Sequence, residues 1–139
     1  CIRDRYVYCG SAQRGLAARI ARHAKLKKRM HWHIDYLRKC CALEGVAVFI
    51  AQKRAECGVA ERLSDVGCRF PAGFGACDCK CDGHLIRFGS YEEAESAITQ
   101  AARAVGVAES LKWRRSIARN RRRNEATPQA ENLQGVSLR

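Results

Sequence analysis

Cys77, Cys79 and Cys81 stand two apart in the run GFGACDCKCDGHL, and His84 follows three residues after the last of them. Three sulfurs and an imidazole within eight residues are soft donors of the kind zinc takes, although C-x-C-x-x-H is not the spacing of a zinc finger. The same residues can be read as reduced thiols in a glycine-supported loop, with Asp78 and His84 as polar groups lining a site. A second group lies near the start of the chain. RYVYC at 5–9 alternates, so Tyr6 and Tyr8 share one side of a strand and Val7 and Cys9 the other. In the following segment, Arg19 falls about 60° from Leu16 on a helical wheel and His23 falls between them. Both therefore flank the apolar stripe and face a strand-to-helix junction.

The elements that must hold these groups follow from periodicity. Gly15 to about Met30 carries Leu16, Ile20 and Ala24 four apart and contains neither Pro nor internal Gly, which predicts an amphipathic helix. A second helix is expected over about 32–42 (WHIDYLRKCCA). EGVAVFIA at 44–51 is rich in β-branched and aromatic residues and predicts a largely buried strand. A third helix follows at about 55–64. Residues 65–84 hold Gly67, Pro71, Gly73, Gly75 and Gly83 and predict an ordered loop, and Leu85 to Phe88 a last strand. Ser90 with Glu93 forms a capping box that opens a helix to about Val105, expected as a peripheral addition. From Leu111 the chain reads as a basic helix, and from Thr127 onward as a disordered tail.

At 139 residues the chain suits one domain with a modest core plus a tail. A 47% hydrophobic share and 29% charged residues are globular composition, and no apolar run approaches the ~20 residues of a membrane span. No secretory leader precedes Cys1, so the expected location is cytoplasmic and most of the nine cysteines are expected to be reduced thiols.

The net charge of +12 is unevenly placed. Residues 3–29 hold nine Arg or Lys against one Asp, and residues 111–139 hold eight against two Glu, whereas residues 30–110 hold nine basic and eleven acidic residues. Two basic patches of this kind point to a polyanion, with nucleic acid the leading partner. The candidate backbone contacts are Arg22, Lys25, Lys27, Lys28, Arg114, Arg115, Arg121 and Arg122. No Walker A or dinucleotide-binding glycine motif is present, which removes ATP-driven and nicotinamide chemistry.

The order YVYCGSA, LAARIARH, HWHIDYL, Glu56 and GFGACDCKC resembles the second half of the GIY-YIG nuclease signature, in a little-characterised prokaryotic branch, over roughly residues 5–88. The resemblance implies an α+β fold, a small mixed or antiparallel sheet flanked by helices, with a nuclease domain at 1–89, a peripheral helix at 90–110 and a basic helix and tail at 111–139. It implies an endonuclease that hydrolyses phosphodiester bonds in repair or processing, of DNA ahead of RNA, with Mg²⁺ or Mn²⁺ as cofactor. Such hydrolysis needs an activated water, a cation at the phosphoryl oxygens and a metal carboxylate. Tyr8, assisted by Tyr6, would orient or deprotonate water, and Arg19 would stabilise the phosphoryl charge. Glu56 matches the family's single metal-binding glutamate, with Glu61 as a second candidate. His23 matches a position near the site and serves equally as a packing residue.

The family's first G-x-Y strand has no counterpart after Cys1, so the expectation is a truncated or split domain. That departure supports the alternative, a non-catalytic nucleic-acid-binding module. His31, His33 and Asp35 can be read as metal ligands, but the preferred reading makes them capping and hydrogen-bonding groups. A zinc-stabilised interaction domain is the third class.

Overall fold

The computed structural model describes residues 4–52, 55–106 and 108–114. In chain order these form β1 (Arg5–Tyr8), α1 (Leu16–Ala24), α2 (His33–Cys40), β2 (Gly45–Ile50), α3 (Ala55–Ser64), β3 (Cys68–Arg69), β4 (Leu85–Phe88), α4 (Tyr91–Ala104) and β5 (Ala108–Arg114). The protein is of the α+β class. Strands β1, β4 and β3 make a sheet in the order β1-β4-β3, antiparallel throughout, and β2 pairs with β5. The described residues divide into two compact units, one built from residues 4–11 and 45–113, the other from 12–44 with 114.

In the first unit the alternation of β1 and β4 decides which face is covered. The register sets Val7 opposite Ile86 and Tyr8 opposite Leu85. Val7, Cys9, Ile86 and Phe88 pack with Val59, Ala60 and Leu63 of α3 and with Ala94, Ala97 and Ala101 of α4. Tyr6 and Tyr8 lie on the other side of β1, as its alternation requires. Gly67 ends α3 by donating its N–H to Leu63 O at 2.8 Å. A Cβ there would stand 2.5 Å from Ile86 and 2.8 Å from Phe88, so the close approach of chain to sheet requires glycine.

Helix α4 begins as its capping box predicts, with Ser90 Oγ accepting from Glu93 N–H and Glu93 Oε2 accepting from Gly89 N–H, both at 3.0 Å. It is not peripheral. Its small residues at 94, 97, 101 and 102 are all buried, and they allow close packing on α3.

Other expectations change at their edges. The first helix stops at Ala24 rather than Met30, because Lys25 turns into extended backbone. In β2 only Val48 is fully buried and Ile50 is exposed, so its apolar run is a half-covered strand. The predicted loop contains the short strand β3. The basic helix expected from Leu111 is absent at 111–114, which belong to β5; residues 115–139, with the expected tail and Arg115, Arg121 and Arg122, lie outside the described residues.

In the second unit α1 packs on α2 around Asp35, which is 1% exposed. Its Oδ2 accepts from the N–H groups of His31 and Trp32, both at 3.0 Å, which caps the start of α2. One guanidinium nitrogen of Arg22 donates to both carboxylate oxygens at 2.9 Å, and Lys28 Nζ stands 2.8 Å from Oδ1. Burial alone would raise the Asp35 pKa. The hydrogen bonds from Lys28, Trp32, His31 and Arg22 outweigh it and hold the carboxyl well below the usual range.

Candidate metal centre

The glycine-rich loop folds back on itself through a short set of main-chain bonds. Gly73 N–H donates to Asp82 O at 2.8 Å, His84 N–H to Phe74 O at 2.7 Å, and Cys9 N–H to His84 O at 2.9 Å. Gly73 and Gly75 hold positive φ, and Gly83 lies so close to the 73–74 backbone that a Cβ would meet Gly73 N at 3.2 Å. The loop is thereby tied to the end of β1, and Arg69 pins it from outside by a 3.1 Å ion pair with Asp82.

This folding brings Cys79 and Cys81 back beside His84, which is buried. The fourth group comes from elsewhere in the sequence. Cys57, in the first turn of α3, joins them, and the four ligand atoms all lie within 4.8 Å of one another. Cys79 Sγ is 3.5 Å from His84 Nε2. A tetrahedral ion with metal–sulfur bonds of about 2.3 Å sets its ligand sulfurs about 3.8 Å apart, so modest contraction of the cluster would complete the shell. The four residues can hold a metal ion.

Without a metal, two of the crowded thiols, Cys57 and Cys81, are biased toward their protonated form. The Cys81 pKa is pushed up to about 12, first by its hydrogen bond with Cys57 and then by burial, and the Cys57 thiol is raised mainly by burial. A bound cation would reverse that preference, because it favours thiolates.

The donor set predicted from spacing was Cys77, Cys79, Cys81 and His84. The structure replaces Cys77, which is exposed and outside the cluster, by Cys57. Alternation at period two would have put all three loop cysteines on one side of a strand, but the segment is a series of turns, such as Cys79 N–H to Ala76 O. The signal for Cys57 was its place three residues before Ala60 on the buried side of a helix.

Other candidate residues fall as follows. The Tyr8 ring meets Phe74 edge-on at 6.1 Å between centroids. It is also held between two glycines, since a Cβ at Gly75 would stand 2.9 Å from it and one at Gly10 3.2 Å. Tyr6 is partly buried in the same strand. Glu56 adjoins Cys57, and its Oε2 is buried without a hydrogen-bond partner. Its charge, after burial, helps push the thiol of Cys9 up to about 12. Glu56 and Glu61 are not members of the metal-ligand cluster, and among the described residues no second such cluster forms around them. The expected Mg²⁺ or Mn²⁺ carboxylate site therefore lacks support.

Arg19 and His23 belong to the other unit. The Arg19 guanidinium lies over the Trp32 ring, 4.5 Å from its centroid. His23 Nδ1 is buried without a hydrogen-bond partner, 3.8 Å from Asp35 Oδ1. Burial, followed by the charges of Lys28 and Arg19, lowers its pKa. Arg22 and Lys28, expected to contact a polyanion, are instead committed to Asp35. Arg22 also donates to Arg29 O at 2.9 Å and Lys28 to Arg22 O at 2.8 Å. Lys25 and Lys27 are exposed. Arg114 ends β5, and the remaining tail arginines lie outside the described residues.

Among the described residues, no helix is long and apolar enough to cross a membrane. No curated protein and no solved structure matches the chain. The resemblance to GIY-YIG nucleases is overturned on two counts. The soft Cys/His cluster marks a different, metal-binding kind of module, and the family model that matches is not a GIY-YIG one. That match covers residues 2–107 and is described as a domain of unknown function, DUF123; the chain belongs to that family.

Proposed function

We propose that this protein is a nucleic-acid-binding domain in which one unit is held together by a structural zinc ion at Cys57, Cys79, Cys81 and His84. Three thiolates and one imidazole favour zinc over magnesium or calcium, which prefer oxygen. A four-residue shell leaves no open position for a substrate or water, so the ion's part is to fasten the loop to α3.

The observation that carries the binding role is the charge left over around Asp35. Residues 12–44 hold Arg14, Arg19, Arg22, Lys25, Lys27, Lys28, Arg29, Arg38 and Lys39 against Asp35 and Glu44. Asp35 takes Arg22 and Lys28, and Arg38 is spent on the carbonyls of His23, Ala24 and Cys41. Arg14, Lys25, Lys27, Arg29 and Lys39 remain exposed, with Arg19 half-buried beside them. Five exposed cations on one small unit favour a phosphate backbone.

The test is binding of labelled nucleic acid by the zinc-loaded full chain over a salt series. The logarithm of affinity is expected to fall linearly with the logarithm of salt, each lost phosphate contact reducing the slope by about 0.7 to 0.9. Lys25→Ala with Lys27→Ala should lower it by about two contacts. Absence of binding at low salt would contradict the proposal. Cleavage, followed in the same samples with Mg²⁺, would instead support an endonuclease.

A further inference from the structure

Trp32 and Tyr36 are large aromatic side chains left open to solvent, 38% and 59% exposed. Trp32 is the N-cap of α2, with extended backbone, and Tyr36 lies four residues on, in the first turn of the same helix. Lys39 follows one turn beyond Tyr36 and is exposed. Arg19 lies across the Trp32 ring at 4.5 Å, and His31 meets the ring edge-on at 4.8 Å. These contacts fix the indole, and the buried bonds of Asp35 to His31 and Trp32 N–H fix the backbone beneath it. An indole held in this way costs little entropy to use, and Tyr36 adds a second exposed ring close by in sequence.

We infer that Trp32 and Tyr36 form a stacking platform for the bases of a single-stranded nucleic acid, with Arg19 and Lys39 beside them on its phosphates. This inference rests on the binding role proposed above and adds the strand state of the ligand. A duplex keeps its bases stacked inside and offers exposed rings nothing, whereas a single strand presents base faces together with charge. Stacking is indifferent to base identity, so the platform takes DNA and RNA strands alike.

The experiment uses the zinc-loaded full chain and fluorescein-labelled oligo(dT), oligo(rU) and a duplex, each of about 16 nucleotides per strand, the upper site size of single-strand binders. Single strands are expected to bind more tightly than the duplex. Trp32→Ala and Tyr36→Ala should each weaken single-strand binding about 5- to 100-fold and leave duplex binding unchanged. Trp32→Phe, which keeps a ring over the helix start, should retain most of the affinity, and circular dichroism of each variant confirms the fold. Lys25→Ala with Lys27→Ala should weaken strand and duplex together. Equal effects of the aromatic variants on strand and duplex, or no effect on either, would overturn the platform while leaving backbone binding standing. Failure of every nucleic acid to bind would remove both.

Discussion

Lys28 Nζ lies 2.8 Å from Asp35 Oδ1, with the lysine side chain 8% exposed and the carboxylate sealed from water. Two cations and two main-chain N–H groups converge on this one acid, so its removal leaves buried positive charge without a counter-charge. Asp35→Ala is expected to destabilise the Ala12–Glu44 unit by about 3 kcal/mol, the lower end of the range for breaking a buried pair because Arg22 is partly open to water. Urea unfolding followed by circular dichroism measures it. A loss under about 1 kcal/mol would show that the network is not structural.

The same carboxylate gives stability a defined pH dependence. Its folded pKa lies below the unfolded value of 3.8, so the stabilisation is complete above that value and is lost as pH falls below it. The His23 pKa is lowered from 6.5, mainly by burial, so its contribution is present above pH 6.5 and fades as pH falls below it. Unfolding curves at pH 7, 5.5 and 3 should show decreasing stability, and His23→Gln should remove the loss between 7 and 5.5. A flat profile through pH 3 would contradict this assignment.

Gly75 has φ +78, and a Cβ there would press 2.9 Å from the Tyr8 ring. Gly75→Ala meets both a strained backbone and a fixed aromatic, for an expected cost of about 2 kcal/mol, whereas Gly15→Ala, with positive φ but open space, should cost about 1. Thermal unfolding of the metal-loaded forms compares them. Equal costs would show that Tyr8 moves aside freely.

Much of this architecture was legible in the sequence. The expected spans of α3 and β4 match those observed, and the Ser90 and Glu93 cap marks the start of α4. Asp35 was readable as a capping group because an acid in the first turn of a helix can reach back to the N–H groups at its start, here those of His31 and Trp32. What could not be read depends on contacts distant in sequence. Cys57 joins Cys79 only after α3 packs on the sheet, and the role of Arg22 and Lys28 appears only once Asp35 is buried between helices. The Ala and Ile positions of α4 suit packing onto the domain, but that its small alanines belong to the core against α3 appears only in the fold. The nuclease resemblance misled because it weighted Glu56 as a ligand, whereas the neighbouring Cys57 is the residue that joins the Cys/His cluster.

Zinc content by elemental analysis of purified wild type, Cys57→Ser and Cys77→Ser tests the assignment of a zinc ion to Cys57 and the loop. About one zinc per chain is expected in wild type and in Cys77→Ser, and little in Cys57→Ser, with chelation loosening the loop in hydrogen exchange. Wild type without zinc after refolding in its presence, or zinc kept by Cys57→Ser and lost by Cys77→Ser, would contradict it.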